Sequence, residues 1–182
     1  MHIPDKISKW IRAKNWTLHE HQIRMFKSSE CSSQLLIAPT GSGKTLAGFL
    51  PTIADLYLNP SQKLHTLYIS PLKALASDIK RNLETPIEEL ELKISVEDRT
   101  GDTKQSIKKK QRVIPPNILL TTPESLALLM SYPDAPSIFS SLKRIIVDEI
   151  HAITESKRGD QLFLAISNIC LLYTSDAADE SV

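Results

Sequence analysis

The sequence predicts an α/β fold with a mostly parallel central sheet and helices on both faces. Short apolar runs typical of buried strands alternate along the chain with longer stretches of helical periodicity. This alternation favours parallel strands joined by crossover helices. A glycine-rich turn follows one apolar run and an acidic pair ends another, and these are positions at which such sheets bind ligands.

The predicted elements follow this alternation in chain order. Residues from about Pro4 to Ser28 are predicted to be helical, with a break near residues 15–17. The predicted strands are Leu35–Ala38, Thr66–Ser70, Ile94–Glu97, Ile118–Thr121 and Ile145–Asp148. The predicted helices are Thr45–Leu58, Leu72–Glu89, Lys104–Arg112, Pro123–Ser131 and Asp160–Ile169. Pro51 lies inside the first of these helices and is expected to kink or shorten it.

Composition sets broad limits on the class of protein. The chain has 182 residues, of which 41% are hydrophobic and 24% charged, as in soluble globular domains. The formal net charge of +1 neither favours nor excludes a nucleic-acid partner. No apolar run reaches membrane-spanning length and no signal-peptide core is present, so we expect a cytoplasmic protein without membrane contact. Cys31 and Cys170 are too few for a disulfide framework or a zinc site.

A phosphate-binding loop is predicted at residues 38–45, which read Ala-Pro-Thr-Gly-Ser-Gly-Lys-Thr. Gly41 and Gly43 permit a tight turn that directs backbone N–H groups at phosphate oxygens. A helix beginning near Lys44 brings its positive dipole end to the same place. Lys44 is predicted to contact the β and γ phosphates of ATP, and the Thr45 hydroxyl to ligate Mg²⁺. The full predicted set in this loop is Thr40, Gly41, Ser42, Gly43, Lys44 and Thr45.

An acidic pair ends a later apolar run. Residues 142–147 are predicted to form a strand, and Asp148 and Glu149 follow at its carboxyl end. Asp148 is predicted to hold Mg²⁺ through water, and Glu149 to orient or deprotonate the attacking water. Together with the phosphate loop, the pair predicts a magnesium-dependent NTP hydrolase.

Four further segments carry a family resemblance. Residues 67–76 read LYISPLKALA, 99–103 read RTGDT, 119–126 read LLTTPESL and 156–160 read SKRGD. With the phosphate loop and the DEIH sequence at 148–151, they make the chain resemble the first RecA-like domain of superfamily 2 DExH helicases. Within that superfamily it resembles the Lhr group, specifically the ligase-associated DNA-damage-response helicases.

The resemblance implies a RecA-like P-loop fold and a motor that moves from 3′ to 5′ along single-stranded DNA during repair, with a DNA ligase or nuclease as partner. His151 is implied to act at the catalytic site by coupling it to a partner domain. Arg158 and Gly159 are implied to contact DNA or support the domain interface. Three groups of residues are implied to contact the DNA strand along which the motor moves. They are Pro71, Lys73 and Ala74; Thr100, Gly101 and Asp102; and Thr122, Pro123 and Glu124.

Two other features concern ligand recognition. Trp16 and Gln22 resemble the adenine-recognition motif of these helicases, in which an aromatic ring stacks on the base and an amide pairs with its polar edge. Thr122 has the position of an N-cap before Pro123 at the first helical residue. The basic run Lys104–Arg112 is compatible with nucleic-acid contact and equally with a solvated helix face.

The resemblance divides the chain into three parts. Residues 1–30 form an N-terminal helical segment with the adenine motif, 31–169 form the first RecA-like ATP-binding domain, and 170–182 resemble a translated sequencing adapter and are expected to be an artefact. A second RecA-like domain, which supplies arginine fingers, is expected to be missing, so the chain is expected to bind ATP and hydrolyse it poorly. Two alternatives remain open: a Ski2-like helicase domain acting on RNA or DNA, and a nucleotide- and nucleic-acid-binding module without turnover.

Overall fold

The computed structural model describes residues 3–29, 33–39, 41–153 and 156–179. The chain divides into two compact units. The first comprises residues 1–61 with 84–93, and the second comprises 62–83 with 94–182. The division at residues 30 and 169 that the sequence suggests stays a prediction. None of the helices in the described part combines the length and apolar character that a membrane span requires.

The first unit is helical. It contains α1 (Asp5–Ala13), α2 (Glu20–Lys27), α3 (Lys44–Leu58) and the last turns of α4 (Lys73–Glu89). α1 and α2 confirm the predicted helical stretch and its break, where Asn15 has a φ of 56°. α2 packs against α3.

Pro51 does not shorten α3, which runs through it to Leu58 as predicted. The prolyl ring removes one helical hydrogen bond, at a cost of about 3 kcal/mol. The neighbouring side chains Leu50 and Ile53 are 1% and 2% exposed. Burial of such side chains stabilises by roughly 1.5–3 kcal/mol each, which offsets the lost bond.

The predicted strand at Leu35–Ala38 is wrong for the described residues 33–39, which are not assigned to any strand. Leu35 is 74% exposed and Ile37 is 86% exposed. A strand exists only where a neighbouring strand accepts and donates its backbone hydrogen bonds. An apolar run alone therefore does not make one.

The second unit is built on a parallel four-stranded sheet, which confirms the α/β prediction. The strands are β1 (Thr66–Ile69), β2 (Val96–Arg99), β3 (Ile118–Thr121) and β4 (Arg144–Val147), in the order β2-β3-β1-β4. β1 and β3 are buried along their whole length, as parallel strands covered on both faces are. In every pair the first residues are in register, so the four carboxyl ends meet at one edge.

Helices cover this sheet. They are the first turns of α4, α5 (Gln105–Val113), α6 (Pro123–Met130), α7 (Ala135–Phe139) and α8 (Lys157–Asp179), with a 3₁₀ turn at Ile150–Ala152. α6 packs against α8, and both contribute to a core with β1 and β3. α8 begins three residues before the predicted helix and continues ten residues beyond it, while α7 and the 3₁₀ turn were not predicted.

Candidate nucleotide and nucleic-acid sites

The glycine-rich loop of the first unit turns tightly before α3. Gly41 and Gly43 have φ angles of 80° and 76°, in the left-handed region that favours glycine. The Ser42 amide and hydroxyl both donate to the Pro39 carbonyl, at 3.3 and 2.7 Å. α3 begins at Lys44, with Gly43 as its N-cap. Thr40 of the predicted set lies outside the described residues.

Gln22 joins the start of α2 to this loop. Its side chain is buried, and Nε2 donates to the Gly43 carbonyl at 3.1 Å. Its Oε1 accepts from the His19 amide at 2.8 Å, which closes the N-terminus of α2. A Cβ at position 43 would lie 2.4 Å from Nε2, so a larger residue there would displace this amide. One N–H of the amide and one lone pair of Oε1 take no part in these two hydrogen bonds.

Trp16 is half-exposed and forms a T-shaped pair with a neighbouring tryptophan. Its ring meets that of Trp10 at 5.5 Å and an interplanar angle of 85°. Trp10 Nε1 and Lys14 Nζ each donate to the Glu89 carboxylate at 2.6 Å. The hydrogen bonds from Lys14 and then Trp10 lower the pKa of Glu89. The indole of Trp16 thus has one aromatic neighbour and keeps an accessible surface.

Four of the predicted segments leave the sheet at the same edge. Pro71 comes just after β1, Thr100 after β2, Thr122 after β3 and Asp148 after β4. The Asp148 amide donates to the Ile69 carbonyl at 2.9 Å and so extends the pairing of β4 with β1. The sheet therefore gathers these segments on one side of the second unit.

Asp148 is held by two donors. The Tyr68 hydroxyl donates to Oδ2 at 2.8 Å, and the Glu149 amide donates to Oδ1 at 2.9 Å. Burial, and then the neighbouring Asp148, raise the pKa of Tyr68 far above its ordinary value, so this hydroxyl stays a donor. The sequence assigned no role to Tyr68, because the strand order that brings it beside Asp148 cannot be read from the sequence.

Glu149 turns the chain away from the sheet. Its φ of 50° is left-handed, and it is the N-cap of the 3₁₀ turn at Ile150–Ala152. His151 is 78% exposed in its side chain and places Nε2 3.4 Å from Glu149 Oε2. The carboxylate proposed to act on water therefore lies next to the histidine of the DEIH sequence.

An ion pair joins the first two segments that are implied to contact the DNA strand. Lys73 Nζ donates to both carboxylate oxygens of Asp102 at 2.9 Å. Lys108 Nζ donates to the Gly101 carbonyl at 3.2 Å, and Thr100 Oγ1 accepts from the Asp102 amide at 3.3 Å. Ala74 follows in the exposed first turn of α4.

Arg158 joins the SKRGD segment to the third segment that is implied to contact DNA. Its guanidinium donates to the Glu124 carboxylate and, from Nη2, to the Pro71 carbonyl at 3.3 Å. Burial alone would raise the pKa of Glu124, but the hydrogen bond from Arg158 brings it below its ordinary value. Thr122 forms the predicted N-cap, since its side chain accepts from the Ser125 amide at 3.4 Å. Pro123 occupies the first turn of α6, and Gly159 the first turn of α8.

The basic run on α5 has a partly structural role. Arg112 Nε donates to both Asp134 oxygens, at 3.1 and 2.8 Å, and its guanidinium lies 3.8 Å from the centre of the Tyr132 ring. Arg99, from the RTGDT segment, is 1% exposed and donates to the Lys108 carbonyl at 2.9 Å. These arginines hold α5 to its neighbours. Exposed side chains such as Lys109 remain accessible.

A parallel α/β sheet, a glycine loop before a helix and an acidic pair at a strand end define a P-loop domain of the RecA-like kind. Residues 19–177 match the model of the DEAD/DEAH box helicase family, and the chain belongs to that family.

Three similar proteins specify the relationship. The chain is 37% identical over 92% of its length to ATP-dependent helicase Lhr-Core protein 2 of Thermococcus barophilus, and 40% identical over 90% to ATP-dependent helicase Lhr-Core of Methanocaldococcus jannaschii. It covers 21% of each of them. The structure of Mycobacterium smegmatis helicase Lhr bound to ssDNA and AMP-PNP superposes with a TM-score of 0.86 at 36% identity, over 93% of this chain and 23% of that one. These matches confirm the resemblance to the Lhr group.

Proposed function

We propose that this chain is the ATP-binding domain of an Lhr-type DNA helicase that hydrolyses ATP to move along single-stranded DNA in repair. The arrangement at the carboxyl edge of the sheet carries this proposal. There Lys73 contacts Asp102, and Arg158 contacts both Glu124 and Pro71. Three segments implied to contact nucleic acid are thus connected on the edge at which Asp148 also ends its strand.

The phosphate loop is suited to the phosphates of ATP. A Cβ at Gly41 would meet no atom within 4 Å, so the turn is open for a ligand on that side. Lys44 is proposed to contact the β and γ phosphates, with backbone N–H groups around Ser42 completing the cradle. Trp16 is proposed to stack on adenine, and Gln22 to contact the base with its remaining N–H.

The donor groups fit Mg²⁺. In the described part of the chain no group of three or more acidic, His or Cys side chains forms a metal centre. Mg²⁺ suits such a chain because it keeps several waters and binds one or two protein oxygens together with phosphates. The Thr45 hydroxyl is proposed to bind the ion directly, and Asp148 is proposed to hold it through water. When bound, the ion neutralises charge on the phosphate oxygens.

Glu149 is proposed to orient or deprotonate the attacking water. His151 contacts the Glu149 carboxylate, and this contact supports its proposed coupling role. Efficient turnover is proposed to require arginine fingers from a second RecA-like domain.

Single-stranded DNA is the nucleic acid along which the protein is proposed to move. Lys73 and Arg158 supply positive charge at this edge. The M. smegmatis relative holds ssDNA and AMP-PNP in its structure, which supports a track and a nucleotide on one protein. A DNA ligase or nuclease as partner, and the cytoplasmic location, stay predictions from the family resemblance.

A fluorescent ATP analogue, with and without Mg²⁺, tests the nucleotide site. Lys44→Ala is expected to weaken binding about tenfold or more, because a charged hydrogen bond to phosphate contributes about 1.5–3 kcal/mol. Lys27→Ala removes an exposed charge in the same unit and is the matched control. Equal affinities of the two variants would contradict the proposed loop.

The ATPase activity and the choice between DNA and RNA are tested on the same preparation. ATPase activity is measured alone and with single-stranded DNA or RNA of equal sequence, and we expect binding with little stimulated turnover. Lys73→Ala is expected to weaken DNA binding more than Lys93→Ala, an exposed lysine of a loop. Stronger stimulation by RNA would favour the Ski2-like alternative.

A further inference from the structure

Tyr68 is a buried strand residue to which the proposed reaction assigns no task. It is 1% exposed in β1, and its register partner in β4 is Ile146. Side chains on a strand alternate between faces, so Asp148, two residues beyond Ile146, follows on the face that Ile146 shares with Tyr68. The fold thus brings a phenol beside the predicted metal-binding carboxylate.

The contacts fix the plane of that carboxylate. Tyr68 donates to Oδ2 at 2.8 Å and the Glu149 amide donates to Oδ1 at 2.9 Å. Each oxygen therefore has one protein donor and keeps one lone pair. Ser70, which is fully buried, follows Tyr68 by two residues and so lies on the same face of the chain.

We propose that Tyr68 is a positioning residue that holds Asp148 in the orientation needed to bind the water shell of Mg²⁺. This inference rests on the proposed function. Mg²⁺ demands near-octahedral geometry, so a carboxylate that rotates binds it less well than one that is held. Hydrogen bonds from outside the ligand set orient metal ligands in this way and typically contribute about 10–100-fold in metal affinity.

Manganese binding gives a direct measurement on the full chain. Mn²⁺ replaces Mg²⁺, and the EPR signal of free Mn²⁺ is followed during titration of the chain with AMP-PNP. Tyr68→Phe is expected to weaken Mn²⁺ binding about tenfold. Its affinity for the nucleotide in EDTA is expected to match the wild-type value, because the phosphate loop is unchanged.

Tyr132→Phe is the matched control. It also removes one tyrosine hydroxyl from the second unit and keeps the ring face against which Arg112 packs. Its Mn²⁺ affinity is expected to equal that of the wild type. Ser70→Ala, which leaves Tyr68 in place and removes a buried hydroxyl from the same face, is expected to give a smaller loss in the same direction. It supplies the test if Tyr68→Phe does not fold.

An Asp148→Asn background separates positioning from general destabilisation. There Tyr68→Phe is expected to add no further loss, since Tyr68 acts through the carboxylate. An equal loss in both backgrounds, or wild-type Mn²⁺ affinity in Tyr68→Phe and Ser70→Ala, would overturn the inference and leave the proposed function standing. Absence of metal-dependent nucleotide binding by the wild type would overturn both.

Discussion

The ammonium group of Lys73 lies 2.9 Å from both carboxylate oxygens of Asp102. Both side chains are exposed, at 53% and 78%, so the pair contributes little to stability. Its effect is on charge, because the lysine proposed to contact DNA phosphate is partly neutralised by a neighbouring carboxylate.

Asp102→Asn is expected to strengthen binding of single-stranded DNA about two- to fivefold at 50 mM salt, since it frees Lys73 and removes a negative charge. The gain is expected to shrink at 200 mM salt. Fluorescence anisotropy of a labelled oligonucleotide measures both. Asp78→Asn, an exposed aspartate on α4, is the control. Weaker binding by Asp102→Asn would show that the carboxylate itself is a required contact.

Gly43→Ala is expected to be more destabilising than Gly41→Ala. Both residues have positive φ, which costs an alanine about 1–2 kcal/mol. Only at position 43 does a Cβ meet another group, Gln22 Nε2 at 2.4 Å, so about 1 kcal/mol more is lost with that hydrogen bond. Chemical denaturation of the two variants gives the difference. Equal unfolding free energies would mean that Gln22 moves aside without cost.

Trp16 is expected to report bound adenine. The chain has two tryptophans, so Trp10→Phe leaves Trp16 as the single indole. ATP is expected to quench its fluorescence by stacking, and GTP to quench it less because Gln22 is proposed to pair with adenine. Trp16→Phe, which keeps Trp10, is expected to show no quenching. A response carried by Trp10 alone would remove Trp16 from the adenine site.

Glu124→Gln is expected to lower the melting temperature at neutral pH, and the difference from wild type is expected to vanish in acid. Because the pKa of Glu124 is lowered from 4.5 by Arg158, the charged pair stabilises the fold above that value. The contribution is lost as pH falls below 4.5 through the depressed pKa. The pair is about half exposed and screened, so we expect a shift of only about 2 °C.

Thermal melts of both proteins between pH 7 and pH 3 test this. If the two melting temperatures still differ at pH 3, the substitution acts by disturbing packing and not by removing a charge.

The sheet could be predicted where burial alone determines it. β1 and β3 are apolar and covered on both faces, and Ile118–Thr121 was placed correctly at both ends. β2 lies two residues later than predicted because its sequence, Val-Glu-Asp-Arg, is mostly charged. It is an edge strand, and there charged residues are tolerated. The predicted strand at Leu35–Ala38 was wrong for the opposite reason, because this segment is apolar but has no pairing neighbour in the described sheet.

The candidate site was predictable in its motifs and not in its connections. Order and spacing relative to the phosphate loop indicated Asp148, and the family resemblance identified the segments containing Lys73 and Arg158. Their partners depend on the strand order, which brings distant residues together only after folding. Tyr68 meets Asp148 across 80 positions, and Trp10 meets Glu89 across 79. No local pattern records such a pairing.

Arg158 follows Pro71 by 87 positions and Glu124 by 34. During synthesis, Pro71 and Glu124 leave the ribosome before the side chain that joins them. Contacts between residues so far apart in sequence form late, because the intervening chain must first be ordered. The part of the proposed DNA-binding edge that Arg158 joins is therefore completed only after the start of α8 has left the ribosome.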